Sequence, residues 1–310
     1  MKHCTSQALL VALACGASLA QAGTGKLLLT GGVSGIAGSA GGGLTPWAVI
    51  GSNATAGETG ASVYATRAAT QNYSLNSYGA AAGLHERVEL SLARQDFDAS
   101  PAVALNSIAP FGVTPGQRIR MDILGVKVKV AGDAVLNADT WMPQISVGLE
   151  HKRVHSGSLQ SVQDFLGTRS HGTDVYASAT KLLLAHSLLL SGTLRYTNAN
   201  QNGLLGFGAA ALGRNQRSLQ PELSVAWLLR KNLALGAEYR FKPNHLQALG
   251  AAAGLGAALR EDDWKDLFVA WAPSKNLSLT LAWLDLGRIV PGVTANRRQT
   301  GYYLSAQLAF

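Results

Sequence analysis

The chain has 310 residues, enough for one large β domain or two ordinary ones. Only 14% of them are charged, against about a quarter in ordinary soluble domains. With 47% hydrophobic residues and 35 glycines, the mixture excludes a disordered chain. The net charge of +8 comes from scattered lysines and arginines with no basic block, which speaks against nucleic acid and for an anionic lipid surface or an acidic solute.

The N-terminus, MKHCTSQALLVALACGASLAQA, has a basic start at Lys2 and an apolar stretch from Ala8 to Leu19. Ala20-Gln21-Ala22 then supplies a small-x-small cleavage site, so residues 1–22 are expected to be a secretory signal. Both cysteines, Cys4 and Cys15, fall inside it, so the mature chain is expected to lack thiols and disulfides. Residues 23–57 follow as a Gly-rich segment, LLLTGGVSGIAGSAGGGLTPW within it. That stretch lacks the Lys-Ser/Thr of a phosphate-binding loop. Its glycines suit close packing against or inside a larger domain, or a further strand pair. No later apolar run reaches the roughly 20 residues of a spanning helix.

From residue 58 onward the sequence alternates with a period of two, the signature of strands. In RIRMDILGVKVKV the apolar set runs Ile119, Met121, Ile123 and then Val126, Val128, Val130, a slip that predicts a β-bulge at Gly125. PQISVGLEHK, SLLLSGTLRYT, PELSVAWLLR, NLALGAEYRFK and NLSLTLAWL keep strict alternation. Tight connections are expected near His85, at Ala185-His186, at 230–232 and at 273–275, with a medium one over 132–142. Long ones are expected at 70–76, 98–118, 155–172, 199–217, 242–262 and 287–300. Short and long connections in alternation predict an all-β fold, a transmembrane antiparallel β-barrel over residues 58–310, with twelve strands or fourteen. The short turns would face the periplasm and the long loops the exterior. Trp227, Trp271 and Phe310 are expected at one lipid–water interface, and Tyr239, Phe241, Trp264, Trp283 and Tyr302 at the other.

The inward rows are expected to hold Arg87, Glu89, Arg120, Asp122, Lys127, Lys129, Glu150, Lys152, Arg195, Glu222, Glu238, Arg240 and Lys242. Of these, Arg120, Asp122, Glu150, Lys152, Arg195, Glu222, Glu238 and Arg240 are the pore-lining candidates. They would line a hydrated lumen for small polar solutes, a basic excess favouring anions. The competing reading is a mutually neutralising network that fills the barrel. An outer-membrane hydrolase is the enzyme alternative, with His151, His155 and Ser156, or Ser170, His171 and Asp174, on one external loop. No strained nucleophile motif supports it, and no cofactor or metal is expected. A structural or surface-interaction barrel, binding a partner through loops such as 98–118 and 242–262, is the third reading.

GKLLLTGGVSGIAGSAGGGLTPWAVIG at 25–51, followed by ETGASVYATR, resembles the opening of an outer-membrane family of proteobacteria classified as a domain of unknown function. The resemblance runs along most of the mature chain. It implies a bacterial outer-membrane location, with lipid and the barrel-assembly machinery as partners, and implies no substrate and no catalytic residues. The last ten residues, GYYLSAQLAF, place Tyr302, Leu304, Ala306, Leu308 and Phe310 on one face. That row resembles the assembly signal of outer-membrane proteins, so deletion of Phe310 is expected to impair insertion.

Overall fold

The computed structural model describes residues 26–135, 140–209 and 217–310; the expected signal segment, with Cys4 and Cys15, lies outside them. Two short strands, β1 (Val33–Ser34) and β2 (Ala40–Gly41), pair with each other. Twelve longer strands follow: β3 (Thr59–Thr70), β4 (Ser74–Leu84), β5 (Val88–Asp98), β6 (Arg118–Ala131), β7 (Gln144–His155), β8 (His171–Leu183), β9 (Leu188–Thr197), β10 (Ser218–Arg230), β11 (Leu233–Arg240), β12 (Trp264–Trp271), β13 (Leu277–Arg288) and β14 (Arg298–Ala309). Each pairs antiparallel with the next. β14 returns to β3, from Gly301 opposite Thr70 to Ala309 opposite Ser62, and closes a twelve-stranded barrel. Closure satisfies every strand edge, which a sheet surrounded by hydrocarbon requires.

The alternation read from the sequence is the alternation of the wall. Leu90, Leu124, Val147, Leu223, Trp227, Leu267, Leu281 and Leu304 all face outward and are exposed. Their in-between neighbours face inward and are buried. An exposed apolar surface that runs round the barrel far exceeds the few hundred Å² found on soluble monomers. No helix among the described residues is long and apolar enough to cross a membrane. The row Tyr302, Leu304, Ala306, Leu308 and Phe310 lies on the same outward face.

Three expectations fail, each for a physical reason. β6 has no bulge at Gly125, since its register with β5 runs unbroken from Val88 opposite Val128 to Asp98 opposite Arg118. Ile119, Met121 and Ile123 point inward, at 1%, 0% and 2% exposure, and join a core with Val154, Leu159 and Leu204. The strand therefore keeps its phase while its apolar face moves from the outside of the wall to the inside. Trp264 also faces inward, because it stands an odd number of residues from the outward Trp271 on an unbroken strand. The expected long loop at 70–76 is only the turn 71–73, with Tyr73 stacked on Phe97 at 5.1 Å between ring centroids.

Inside the barrel, aromatic rings lie across glycines of neighbouring strands. Gly148 is directly opposite Tyr176, and Gly236 directly opposite Phe268. A Cβ on either glycine would meet the facing ring at 2.3 Å. Gly148→Ala must push Tyr176 off this site and is expected to cost about 1–3 kcal/mol. Thermal unfolding of the detergent-solubilised barrel would register it as a lowered midpoint.

Candidate functional site

The glycine-rich N-terminal segment lies within the barrel. Its backbone is held by inward side chains from strands all round the wall. Ser77 and Gln95 donate to the Ile36 carbonyl, and Thr193 donates to that of Pro46. Thr180 accepts from the Ala48 N–H, while Gln144 and Ser146 donate to its carbonyl. Glu89 accepts from the N–H groups of Ala40 and Gly51, at 3.1 and 2.7 Å. Glu238 accepts from those of Leu44 and Thr45, at 2.7 and 3.2 Å. Lys127 bonds Glu89 at 3.1 Å and donates to the carbonyls of Ala40 and Trp47. An irregular segment in a dry lumen needs such partners for its backbone, and the wall supplies them. Gly42 is required where it stands, since a Cβ there would lie 2.5 Å from a Glu238 carboxyl oxygen. Trp47, Val33 and Leu44 pack on Leu182, Leu189 and Phe268 of the wall.

Beside this plug runs a belt of ion pairs. Lys152 Nζ lies 2.7 Å from Asp174 and 3.1 Å from Glu150. Arg195 bridges Glu150 at 2.8 Å and Glu222 at 2.6 Å, and Arg240 reaches Glu222 at 3.1 Å. Arg240 also donates to the Leu44 carbonyl and to Asn202, tying wall to plug and loop. Three cations face three carboxylates, all almost wholly buried. Six of the expected pore-lining residues, Glu150, Lys152, Arg195, Glu222, Glu238 and Arg240, thus face inward, but they are sealed against each other and the plug. Arg120 and Asp122 face outward instead, with side-chain exposures of 64% and 39%. Arg87 is exposed in the turn after β4.

Toward the loop end the interior becomes apolar. The connections 99–117, 156–170, 241–263 and 289–297 and residues 198–209 fold over the mouth, the second and third carrying helices α1 (Gln160–Leu166) and α2 (His245–Ala252). Leu166, Leu246 and Leu249 pack together with Val162, Leu205 and Leu259. Between these loops, the wall and the plug lies a cavity of about 340 Å³ with an almost entirely carbon lining. Ile36 and Leu44 of the plug, Ile119, Leu284 and Tyr303 of the wall, and Phe111, Leu204 and Val293 of the loops contribute to it. Beside it, Lys242 pairs with Glu261 at 2.7 Å and sits 4.0 Å from the centroid of the Trp264 ring. Burial pulls Lys242 down to about 8 against the opposing pull of Glu261, and burial pushes Glu261 upward.

Neither set proposed for a hydrolase is assembled, although His151 and His171 of adjacent strands lie 6.4 Å apart between ring centroids. His171 and Asp174 stand on opposite faces of β8, His171 outward and Asp174 buried against Lys152 and Thr197. His151 and His155 share the outward face of β7 but, four residues apart on a strand, are separated by about 13 Å. Ser156 is buried, and His155 instead faces Asp122 at 3.6 Å. The cavity-lining residues escaped the sequence reading because they are spread over the plug, the wall and five loops. The shift of the apolar row in β6 from one face to the other was the one local signal.

Residues 30–307 match the family described as "Protein of unknown function (DUF3034)". The chain belongs to this family. No curated protein matches it by sequence. Among solved structures, the NanC porin aligns with a TM-score of 0.49 and 7% identity, over 80% of this chain and 98% of that one. The KdgM porin, solved with disordered oligogalacturonate, aligns at 0.45 and 10% identity, over 80% and 99%. Outer membrane phospholipase A from Escherichia coli aligns at 0.40 and 12% identity, over 81% and 92%. The likeness goes no further than barrel architecture.

Proposed function

We propose that this DUF3034 member is an outer-membrane barrel that takes an apolar molecule, a hydrocarbon or an acyl chain, into the cavity at its external end. It acts by binding and transfer rather than by catalysis. The observation that carries this reading is the lining: a well-formed cavity of about 340 Å³ walled by Ile, Leu, Phe and Val side chains. Apolar burial there is worth about 25 cal/mol per Å² of ligand surface, whereas a polar solute would lose its hydration for no return. The exposed apolar wall favours a membrane location, and the long capping loops favour the external side for the cavity.

Passage of small polar, anionic solutes is the second reading, supported by the inward arginines and lysines. It requires the plug to move, because the ion-pair belt is charge-balanced and dry. The two readings separate in one set of measurements. The first expects saturable binding of the environment-sensitive probe N-phenyl-1-naphthylamine and no conductance steps in a planar bilayer. Leu105→Trp, which fills the cavity from a capping loop, should then weaken probe binding about tenfold, or ~1.4 kcal/mol. Steady conductance without probe binding would establish the second reading and sink the first.

A further inference from the structure

The outward face is not uniform. On β5, Val88, Leu90 and Leu92 precede Arg94, Asp96 and Asp98; on β7, Ile145, Val147 and Leu149 precede His151, Arg153 and His155. Three strands beyond β7, β10 stays apolar through Leu219, Pro221, Leu223, Val225, Trp227 and Leu229. Three outward positions on a strand tilted by about 40° cover only about 15 Å, against an apolar band of about 25 Å in outer-membrane barrels. Headgroups must therefore meet the wall lower along β5–β8 than along β9 and β10, and what they meet there is a cluster of arginines.

Within that cluster the guanidiniums are not equivalent. Arg94 forks onto Asp122, at 2.6 and 3.0 Å, and Arg118 onto Asp96 at 2.7 Å. Arg120 is 64% exposed and comes only within 3.9 Å of Asp96. Arg153 is exposed and has no ion-pair partner among the described residues. Arg120 is directly opposite His155, and Arg153 directly opposite Asp122 and His171. Arg153 and the loosely paired Arg120 are thus diagonal neighbours across β6 and β7, about 7–8 Å apart at the backbone. That spacing lets two long side chains converge on one tetrahedral anion. The paired Arg94 and Arg118 hold the carboxylates that would otherwise repel it.

We propose that this face binds a phosphorylated glycolipid of the surrounding outer leaflet, its phosphate gripped by Arg120 and Arg153 with His155 and His171 at the rim. Charge-assisted, forked hydrogen bonds are what arginine offers a phosphate. The acyl chains then fall along the apolar rows below. This inference rests on the membrane reading above and is independent of the cavity.

The test is lipid retention by the full-length barrel in mixed micelles, with diphosphoryl lipid A as probe and phosphatidylethanolamine as the zwitterionic comparison. Wild-type protein should retain lipid A preferentially. R120A/R153A should retain about tenfold less, while Lys265→Ala on the opposite wall should leave retention unchanged. Heat-modifiable gel mobility verifies that each variant is folded. Equal retention by R120A/R153A and wild type, equal retention of the two lipids, or an equal loss in Lys265→Ala would overturn the proposal. A wild-type chain that does not insert into phosphatidylethanolamine vesicles would overturn the membrane reading itself, and this site with it.

Discussion

Replacing Glu89 and Glu238 together by alanine will turn a silent barrel into a conducting one. These two carboxyl groups accept the backbone N–H groups of Ala40, Gly51, Leu44 and Thr45, and Glu238 also accepts the Thr45 hydroxyl. Loss of that many buried hydrogen bonds costs on the order of 5 kcal/mol, and all of it falls on the contact between plug and wall. Glu89→Ala alone should do more than Glu238→Ala. It also strands Lys127, a fully buried cation that Glu89 pairs at 3.1 Å and that itself holds the Ala40 and Trp47 carbonyls. The closed wall does not depend on these groups, since every strand keeps its two neighbours. Single-channel recording should show discrete openings in the double variant and none in the wild type. A double variant that is folded and still silent would mean that the remaining hydrogen bonds and apolar contacts hold the plug without the two carboxylates.

Arg195→Met is expected to be the most destabilising single change in the belt, at about 3–5 kcal/mol. It leaves Lys152 and Arg240 to face Glu150, Asp174 and Glu222 in a dry interior, two cations against three carboxylates. The guanidinium also lies 5.1 Å from the centroid of the Tyr176 ring, so packing is lost with the charge. Arg195→Lys should fall between, because an ammonium keeps the charge but cannot bridge Glu150 and Glu222 as the fork does. Combining Arg195→Met with Glu150→Gln should recover much of the loss, since it restores two cations to two carboxylates, Lys152 with Asp174 and Arg240 with Glu222, and lifts part of the desolvation penalty. Thermal unfolding midpoints in detergent measure the series. An unchanged midpoint for Arg195→Met would show that water reaches the belt and that the lumen is hydrated after all.

These two experiments turn on facts of different legibility. The inward direction of Glu89, Glu238 and Arg195 could be read from alternation, because a strand offers its side chains only two directions. Whether those charges line water or seal against one another could not. Alternation is blind to what lies across the lumen, and here a segment from the other end of the chain lies there. Arg120 and Asp122 show the same limit on one strand. Polar residues were assigned to the inside on the premise that the outside is apolar along its whole length. β6 rises out of that band, and the rule inverts where Ile119, Met121 and Ile123 turn into the loop-capped core. The parity of Trp264 and Trp271 was in the sequence and contradicted placing both on the outside.

The sequence by itself determined most of the wall: a period-two pattern fixes which residues of a strand share a face, and strand ends marked by turns fix the antiparallel order and narrow the strands to twelve or fourteen. Those are local properties, set by backbone geometry within about ten residues. Only the tertiary structure decided the interior. The plug, the balanced belt and the apolar cavity are made by residues far apart in the chain. Their meeting depends on barrel closure and on how five loops fold back over the mouth, which no short-range pattern encodes.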